Sequence, residues 1–269
     1  MASSESPWLD AARAAKRALL GTQTVHLLGQ SFRVTAESRG RYDDRDYPVL
    51  AALARGRRRI FDIGANLGMT SMIMATAEPA TEVVAFEASE KACLLVKRNV
   101  GLNGLGDRVQ VVEAVLAERS GAPIDFFWDH SSGGASTIDG YLGHTRPLRK
   151  ISLALDDFLD AEGLDVDLLK IDVEGAEARV LRGARATFER CRPVAILELH
   201  SWQGVTLAEN AAEIIAWAEG MAYDMVYLRT GERLVDSEPL KNRGRCHVLL
   251  VPAGEPLPPA LDDVDMSSL

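Results

Sequence analysis

From residue 57 onward, short runs of apolar and β-branched residues alternate with longer segments whose apolar residues recur at helical spacing. This alternation is typical of βαβ units and a largely parallel sheet. Seven principal strands are predicted, at residues 59–63, 82–86, 108–114, 166–171, 194–199, 223–228 and 246–251. Helices that pack on the sheet are predicted after Gly68, Ser89, Gly175 and Thr206, and the one after Gly175 should continue until Pro193 ends it.

The two ends of the chain have other patterns. Residues 1–56 predict a small cap of helices and short strands, with a helix around 7–20, a strand pair near 26–35 and a helix around 43–54. The final segment, from residue 253, combines proline with acidic residues, and we expect disorder there. The sequence therefore predicts an amino-terminal cap (1–56), one Rossmann-like α/β domain (57–252) and a disordered tail (253–269).

Composition fits this organisation, because 47% of the 269 residues are hydrophobic and 26% are charged. A formal charge of -9 argues against the broad basic surface of nucleic-acid-binding proteins, so no nucleic-acid partner is expected. Cys93, Cys191 and Cys246 lie far apart, which argues against a zinc cluster and a disulfide framework. No apolar run reaches the length of a membrane span and no signal-peptide core is visible, so we expect a cytoplasmic protein without membrane association.

A glycine-rich turn follows the first strand of the predicted domain. In FDIGANLGMTS, Asp62 precedes a turn made of Gly64, Ala65, Asn66 and Gly68, and a helix comes next. Glycines let a backbone turn tightly and approach a ligand, and a helix amino terminus offers free N–H groups. The spacing is neither the dinucleotide fingerprint nor a P-loop. An aspartate just before the glycines suits a cationic amino group better than a pyrophosphate, which indicates a methionine-derived ligand.

The second strand ends in AFEAS, which places Glu87 23 residues beyond Gly64. An acidic residue at about this spacing contacts ribose hydroxyls in Rossmann-type sites. The glycine turn alone is also compatible with a structural connection between strand and helix. Together, the turn and Glu87 indicate a nucleoside-binding edge.

Acidic residues also follow two later strands. Asp172, Glu174 and Glu177 come after the strand at 166–171, while Glu198 and His200 lie at the end of the strand at 194–199 and on one of its faces. Parallel sheets bind ligands outside the carboxyl ends of their strands, so we expect these groups to converge there. Glu174 and Glu177 have a second interpretation, as charges that stabilise the positive end of a helix.

Two chemistries fit such a cluster. A carboxylate or His200 can act as general base toward an acceptor hydroxyl, or a cation held by carboxylates and His200 can acidify that hydroxyl. The catalytic candidates are Asp172, Glu174, Glu198 and His200. We favour the mechanism without a metal, in which a divalent cation is not needed. Lys170 is expected to be a structural ion-pair partner.

The segments FDIGANLGMTS, AFEAS, NVGLNGL and especially LLKIDVEGAEARVLRGA resemble the FkbM family of methyltransferases, and the resemblance runs from about residue 57 to 252. It implies a class I methyltransferase fold, in which a seven-stranded, mostly parallel sheet has an antiparallel last strand. It also implies S-adenosylmethionine as methyl donor and O-methylation. By position in the motifs, the expected cofactor-binding residues are Asp62, Gly64, Ala65, Asn66, Gly68, Glu87, Glu113, Ala114 and Asp172, with Glu87 at the ribose and Glu113 and Ala114 near the adenine.

The resemblance favours methyl transfer to a hydroxyl of a small molecule, such as a sugar or a natural-product scaffold. One alternative is an N-methyltransferase that acts on nucleic acid or protein, although the N/D-P-P-Y/F tetrapeptide of such nucleic-acid enzymes is absent. A second alternative is a cofactor-binding module without catalysis. We expect the cap and several loops to form the acceptor pocket. One such loop is the Gly- and Ser-rich stretch 129–147, which is either a lid or a surface loop.

Overall fold

The computed structural model describes residues 21–38, 42, 44–128, 135–137, 147–201 and 204–269. Its α-helices are α1 (Tyr47–Ala54), α2 (Met69–Ala77), α3 (Glu90–Leu102), α4 (Leu155–Glu162), α5 (Glu177–Arg182), α6 (Arg185–Cys191) and α7 (Leu207–Gly220). Its strands are β1 (Thr22–Leu27), β2 (Gln30–Thr35), β3 (Arg59–Ile63), β4 (Glu82–Glu87), β5 (Val109–Glu113), β6 (Val115–Leu116), β7 (Pro123–Trp128), β8 (Ala135–Ser136), β9 (Pro147–Leu153), β10 (Leu168–Ile171), β11 (Val194–His200), β12 (Tyr223–Tyr227), β13 (Glu232–Leu234) and β14 (Arg245–Pro252). Within the described part of the chain, no helix is long and apolar enough to cross a membrane.

The central sheet has the order β13-β12-β14-β11-β10-β3-β4-β5. Neighbouring strands from β11 to β5 are parallel, whereas β14 is antiparallel to both β11 and β12. All seven predicted strands are present, and the antiparallel last strand that the resemblance implies is β14. The short strand β13, which extends the sheet by a hairpin with β12, was not predicted.

The sheet is buried on both faces, which explains why its strands have nearly continuous apolar runs. Successive residues point to opposite sides, so that Phe61 and Ile63 belong to one core cluster while Ile60 belongs to the other. On the first face the rings of Phe61, Phe86 and Phe158 pack edge to face, with centroids 4.9 to 6.0 Å apart. Helices therefore cover both faces of the sheet.

The segment after Gly175 differs from the predicted single helix. It is divided into α5 and α6 at Gly183, where a Cβ would lie 2.1 Å from the carbonyl oxygen of Ala117. Asp156 then caps the second helix, because its carboxylate accepts the backbone N–H groups of Ala186 and Thr187 at 2.9 and 2.7 Å. The break follows from close contact with a distant segment, which helical periodicity does not reveal.

The predicted strand pair of the cap is the antiparallel hairpin β1–β2. Side-chain oxygens of Asn99 on α3 and of Asn103, just after α3, accept the N–H groups of Thr35 and Arg33, both at 2.9 Å, and so attach the hairpin to the domain. The second predicted cap helix is α1, which begins at Tyr47. The first, at 7–20, lies outside the described residues, as does most of the stretch 129–147.

Residues 253–269 do not show the predicted disorder. They contain a 3₁₀ turn, Pro259–Leu261, and Leu261 is buried in the core cluster that includes α1. A hydrogen bond of 2.8 Å from Arg45 Nη1 to the carbonyl of Ser268 adds a further attachment. The segment is rich in proline and acidic residues, but the apolar residues spaced between them form a face that packs on the domain. Burial of this apolar face has a larger effect than the composition that predicted disorder.

We expect Leu261→Ala to lower the free energy of unfolding by about 2 to 4 kcal/mol, because it empties a buried site on the domain. Leu94→Ala is the matched control, since Leu94 is 51% exposed. Urea denaturation followed by circular dichroism measures both. Equal effects of the two substitutions would contradict the docking of the tail.

Candidate active site

The turn between β3 and α2 is shaped by the protein's own chain. Gly64 and Gly68 have left-handed φ angles of 82° and 81°. A Cβ on Gly64 would lie 1.8 Å from the backbone oxygen of Asp172, and one on Gly68 would lie 2.8 Å from Val96 Cγ1. The two glycines are thus required for the approach of β10 and α3, in addition to any approach of a ligand.

Glu87 ties the turn to the end of β4. Its Oε2 accepts the N–H of Asn66 at 2.8 Å and its Oε1 accepts the N–H of Ser89 at 2.8 Å. Burial raises the pKa of Glu87, against the opposite effect of these two N–H groups. Asn66 is exposed and left-handed, with φ 50°, whereas Ala65 is buried. The structure therefore joins the turn and Glu87, as the sequence predicts.

Glu113 and Ala114 lie at the end of the next strand. Glu113 is opposite Glu87 in the parallel register of β4 and β5, is exposed, and pairs with Lys150 Nζ at 2.8 Å. Ala114 donates its N–H to the carbonyl of Glu87 at 3.0 Å. Both residues are therefore at the rim beside Glu87, where the adenine was expected.

Asp62 is placed differently from the expected ligand position. It is fully buried, and its Oδ2 accepts the hydroxyls of Thr70 at 2.7 Å and Ser71 at 2.5 Å. Its Oδ1 has no hydrogen-bond partner and lies 3.5 Å from Lys170 Nζ. The side chain anchors the first turn of α2 from the protein interior, so a direct contact with a ligand's amino group does not follow from this geometry.

Lys170, in the middle of β10, is the cation of this region. Its Nζ donates to the carbonyl of Gly64 at 3.0 Å and lies 3.3 Å from Asp172 Oδ2 and 3.5 Å from Asp62 Oδ1. Burial would lower the pKa of Lys170, but Asp172 and Asp62 raise it above the ordinary value. Lys170 is therefore charged and structural.

The predicted acidic cluster assembles around His200. Its Nε2 lies 3.4 Å from Glu174 Oε2, 3.6 Å from Glu198 Oε1 and 4.0 Å from Asp172 Oδ1. These distances confirm that the ends of β10 and β11 bring the residues together, and that Glu198 and His200 share a face. Glu174 has φ 55°, an uncommon left-handed conformation for a residue with a side chain, and such conformations often occur at functional sites.

The pKa values of His200 and Asp172 are both shifted within the cluster, for different reasons. Burial would lower the pKa of His200, but Glu177, Asp172 and Glu174 outweigh it and raise that pKa to about 10. Burial raises the pKa of Asp172 above its usual range, and Lys170 only partly opposes this. In this arrangement the carboxylates favour the protonated form of the imidazole.

Glu177 lies behind His200 and is fully buried. Its Oε1 accepts the N–H of Gly175 at 2.9 Å and is 3.5 Å from His200 Nδ1, while its Oε2 accepts Asn210 Nδ2 at 3.4 Å. Asn210 also donates to the carbonyl of His200 at 3.1 Å. Glu177 thus does more than stabilise a helix end, because it is placed to orient the imidazole.

Sequence reasoning missed the other side of the cluster, which comes from β14. His247 is opposite Glu198 in the antiparallel register, with Nε2 3.6 Å from Glu198 Oε2 and 3.9 Å from Asp46 Oδ2. Arg245 Nη1 lies 2.9 Å from Glu198 Oε1. Burial would raise the pKa of Glu198, but His247 leads the groups that lower it below its usual range.

A cavity of about 560 Å³ opens beside Glu198. Its lining is mostly polar and charged, and includes Asp46, Glu198, Arg229, Arg245 and His247. It shares Glu198, near the carboxyl end of β11, with the acidic cluster.

A mostly parallel sheet with helices on both faces defines a Rossmann-like fold, and the Glu87-linked turn lies at the carboxyl edge, where such folds bind their ligands. The sequence matches the "Methyltransferase FkbM domain" family over residues 62–225. The chain belongs to this family.

Two curated relatives support the assignment. The 2-O-methyltransferase NoeI of Sinorhizobium fredii (strain NBRC 101917 / NGR234) is 27% identical over 160 residues, which cover 54% of this chain and 64% of that protein. The methyltransferase sdnD of Sordaria araneosa is 28% identical over 159 residues, covering 46% and 59%. The chain therefore spans less than two thirds of either relative. A crystal structure of methyltransferase FkbM from Methylobacillus flagellatus KT aligns with 14% identity and a TM-score of 0.45, over 72% of this chain and 43% of that one.

We expect Lys170→Met to lower the free energy of unfolding by about 3 to 5 kcal/mol, because it leaves buried carboxylates without their cation. Lys150→Met is the matched control. Lys150 pairs with the exposed Glu113, and loss of such a pair costs about 1 kcal/mol or less. Urea denaturation of both variants measures the difference, and similar losses would show that Lys170 is not the structural cation of the site.

Proposed function

We propose that this chain is an S-adenosylmethionine-dependent O-methyltransferase that acts on a hydroxyl of a small molecule. One observation carries the proposal: the Glu87-linked turn and the cluster of Asp172, Glu174, Glu198 and His200 share one edge of the sheet. They are in direct contact there, since Asp172 donates its N–H to the carbonyl of Ile63 at 3.0 Å, next to Gly64. Membership of the FkbM methyltransferase family supports it further.

The cofactor edge fits the nucleoside part of the donor. Each oxygen of Glu87 accepts one backbone N–H, and an ionised carboxylate has further lone pairs for two ribose hydroxyls. The exposed Asn66 and the amino end of α2 lie beside it. When bound, S-adenosylmethionine supplies an electrophilic methyl group on a sulfonium. The chain's task is then to hold an acceptor in line with that group.

The acidic cluster around His200 is suited to position the acceptor hydroxyl and to take up its proton. In the reaction, a bond forms between the hydroxyl oxygen and the methyl carbon as the carbon–sulfur bond breaks, and the hydroxyl proton passes to a carboxylate of the cluster. Positioning of the hydroxyl lowers much of the barrier, and proton removal contributes the rest. Asp172 connects both tasks, because its backbone touches the glycine turn and its side chain faces His200.

The cavity beside Glu198 favours a polar acceptor with several hydroxyls, such as a sugar or a hydroxylated natural-product scaffold. Arginine and carboxylate side chains line the same space, and together they offer donors and acceptors for hydroxyl groups. The name of the relative NoeI, a 2-O-methyltransferase, agrees with methyl transfer to oxygen.

The test is a transfer assay with methyl-labelled S-adenosylmethionine and a panel of saccharides, hydroxylated scaffolds, amines, nucleic acid and protein. Label recovered in a small molecule as an alkali-stable ether supports the proposal. Label on nitrogen would identify an N-methyltransferase instead. Cofactor binding with no transfer to any acceptor would favour a module without catalysis.

We expect Glu87→Gln to weaken binding of S-adenosylhomocysteine by about 1 to 3 kcal/mol, because a buried hydrogen-bond acceptor of the ribose is lost. Glu82→Gln is the control, since Glu82 is at the other end of β4 and its side chain is 56% exposed. Isothermal titration calorimetry measures both, and thermal melts verify folding. Unchanged affinity in a folded Glu87→Gln protein would remove Glu87 from the ribose.

Asp172→Asn and His200→Ala should each reduce turnover by about 10²- to 10⁴-fold while changing affinity for S-adenosylhomocysteine much less, because both side chains belong to the acceptor side. Asp160→Asn is the control, with a side chain 67% exposed and remote from the cluster. Single-turnover rates on the best acceptor of the panel give the comparison. Near-native rates in both variants would move catalysis away from the cluster.

A further inference from the structure

We propose that Asp172, Glu174 and His200 bind a divalent transition-metal cation. The binding itself stands on the geometry of the three side chains. The catalytic role of the cation, which is to hold and acidify the acceptor hydroxyl, rests on the proposed function.

The three ligand atoms have the spacing of a metal site. One carboxylate oxygen each from Asp172 and Glu174 and one ring nitrogen of His200 lie within 4.8 Å of one another. The nitrogen is 3.4 Å from the Glu174 oxygen and 4.0 Å from the Asp172 oxygen. Two ligands at about 2.1 Å from one ion are separated by roughly 3 to 4.2 Å, so small rotations suffice.

The cluster also contains polar groups without partners. His200 is 8% exposed, and its Nε2 points at carboxylate oxygens that are 3.4 to 4.0 Å away, beyond the usual length of an N–H···O bond. Asp172 Oδ1, which faces this nitrogen, is buried and has no hydrogen-bond partner. An ion bound between these groups would give that oxygen a partner.

The surroundings of His200 are those of a metal ligand. Glu177 is fully buried, fixed by Gly175 and Asn210, and placed 3.5 Å from Nδ1. A carboxylate behind one ring nitrogen orients the other toward a metal. Glu177 is therefore a positioning residue, and Nε2 is the nitrogen that it directs into the cluster.

The competing explanation is an imidazolium that neutralises the carboxylates by itself. The cations described around the cluster already have carboxylate partners: Lys170 is engaged with Asp62 and Asp172, and Arg245 with Glu198. A divalent ion would add positive charge at the point where the oxygens of Asp172 and Glu174 approach the ring nitrogen of His200.

The donor set indicates the kind of ion. Imidazole with carboxylates suits Mn²⁺, Fe²⁺ or Zn²⁺ better than Mg²⁺ or Ca²⁺, which prefer oxygen ligands alone. Three protein ligands leave positions for a hydroxyl, whose pKa the ion would lower. Glu198, which is outside the ligand set, would then be the carboxylate of the cluster left to accept the hydroxyl proton. This proposal departs from the metal-free mechanism that the sequence alone favours.

The test uses the full chain, without a metal-binding tag, after dialysis against chelator and without cofactor or acceptor. Mn²⁺ is the probe, and loss of the free-ion EPR signal measures binding. We expect one Mn²⁺ per chain, and about tenfold or greater weakening in Asp172→Asn, in His200→Ala and in the positioning variant Glu177→Gln. Asp160→Asn, an exposed carboxylate on α4, should bind as the unchanged protein does.

A second measurement does not depend on the variants folding. Pulsed EPR of Mn²⁺ on the unchanged protein should show coupling to an imidazole nitrogen, since His200 Nε2 is a proposed ligand. No binding, binding without nitrogen coupling, or equal binding in folded Asp172→Asn and His200→Ala would overturn the proposal. Calorimetry with S-adenosylhomocysteine on the same sample reports separately on the cofactor edge, so failure of the metal site and failure of the proposed function are distinguishable.

Discussion

A positive charge in the middle of an apolar sheet requires compensation from every side, and Lys170 receives it from two carboxylates and a carbonyl. Asp62 comes from β3, Asp172 from the end of β10, and the carbonyl from Gly64. Loss of any one partner would leave a charge or a polar group unsatisfied in the interior. The strand ends are therefore held in one arrangement, and both halves of the candidate site are built on it.

The interactions of Lys170 also help to fix the conformation of the glycine turn. Lys170 holds the carbonyl of Gly64, the N–H of Gly64 donates to Phe86 at 2.9 Å, and the backbone of Asp172 fills the space of a Cβ. The turn is thus fixed from the protein side before any ligand arrives. The Glu87 carboxylate is likewise held in place by the N–H of Asn66, so the ribose contact proposed for it would cost little further ordering.

Features of the site that depend on where strands end are predicted well from the sequence, whereas features that depend on the pairing register of the strands are predicted poorly. Strand positions are visible because both faces of the sheet are buried, and the convergence of Asp172 with His200 follows from the common edge of parallel strands. The partnership of Glu198 with His247 depends on the pairing of strands far apart in sequence, which a single sequence does not encode visibly. The inward orientation of Asp62 depends similarly on the hydroxyls that α2 offers to it.

The segment KIDVEGAE shows how much one short stretch contributes to such a site. Lys170 and Asp172 are two residues apart on a strand and therefore share a face, where they meet the glycine turn. Left-handed conformations at Glu174 and Gly175 then reverse the chain, so that Glu174 returns toward the cluster and Glu177 enters the interior behind the histidine. The left-handed backbone at Glu174 is thus coupled to the position of its side chain, 3.4 Å from His200 Nε2.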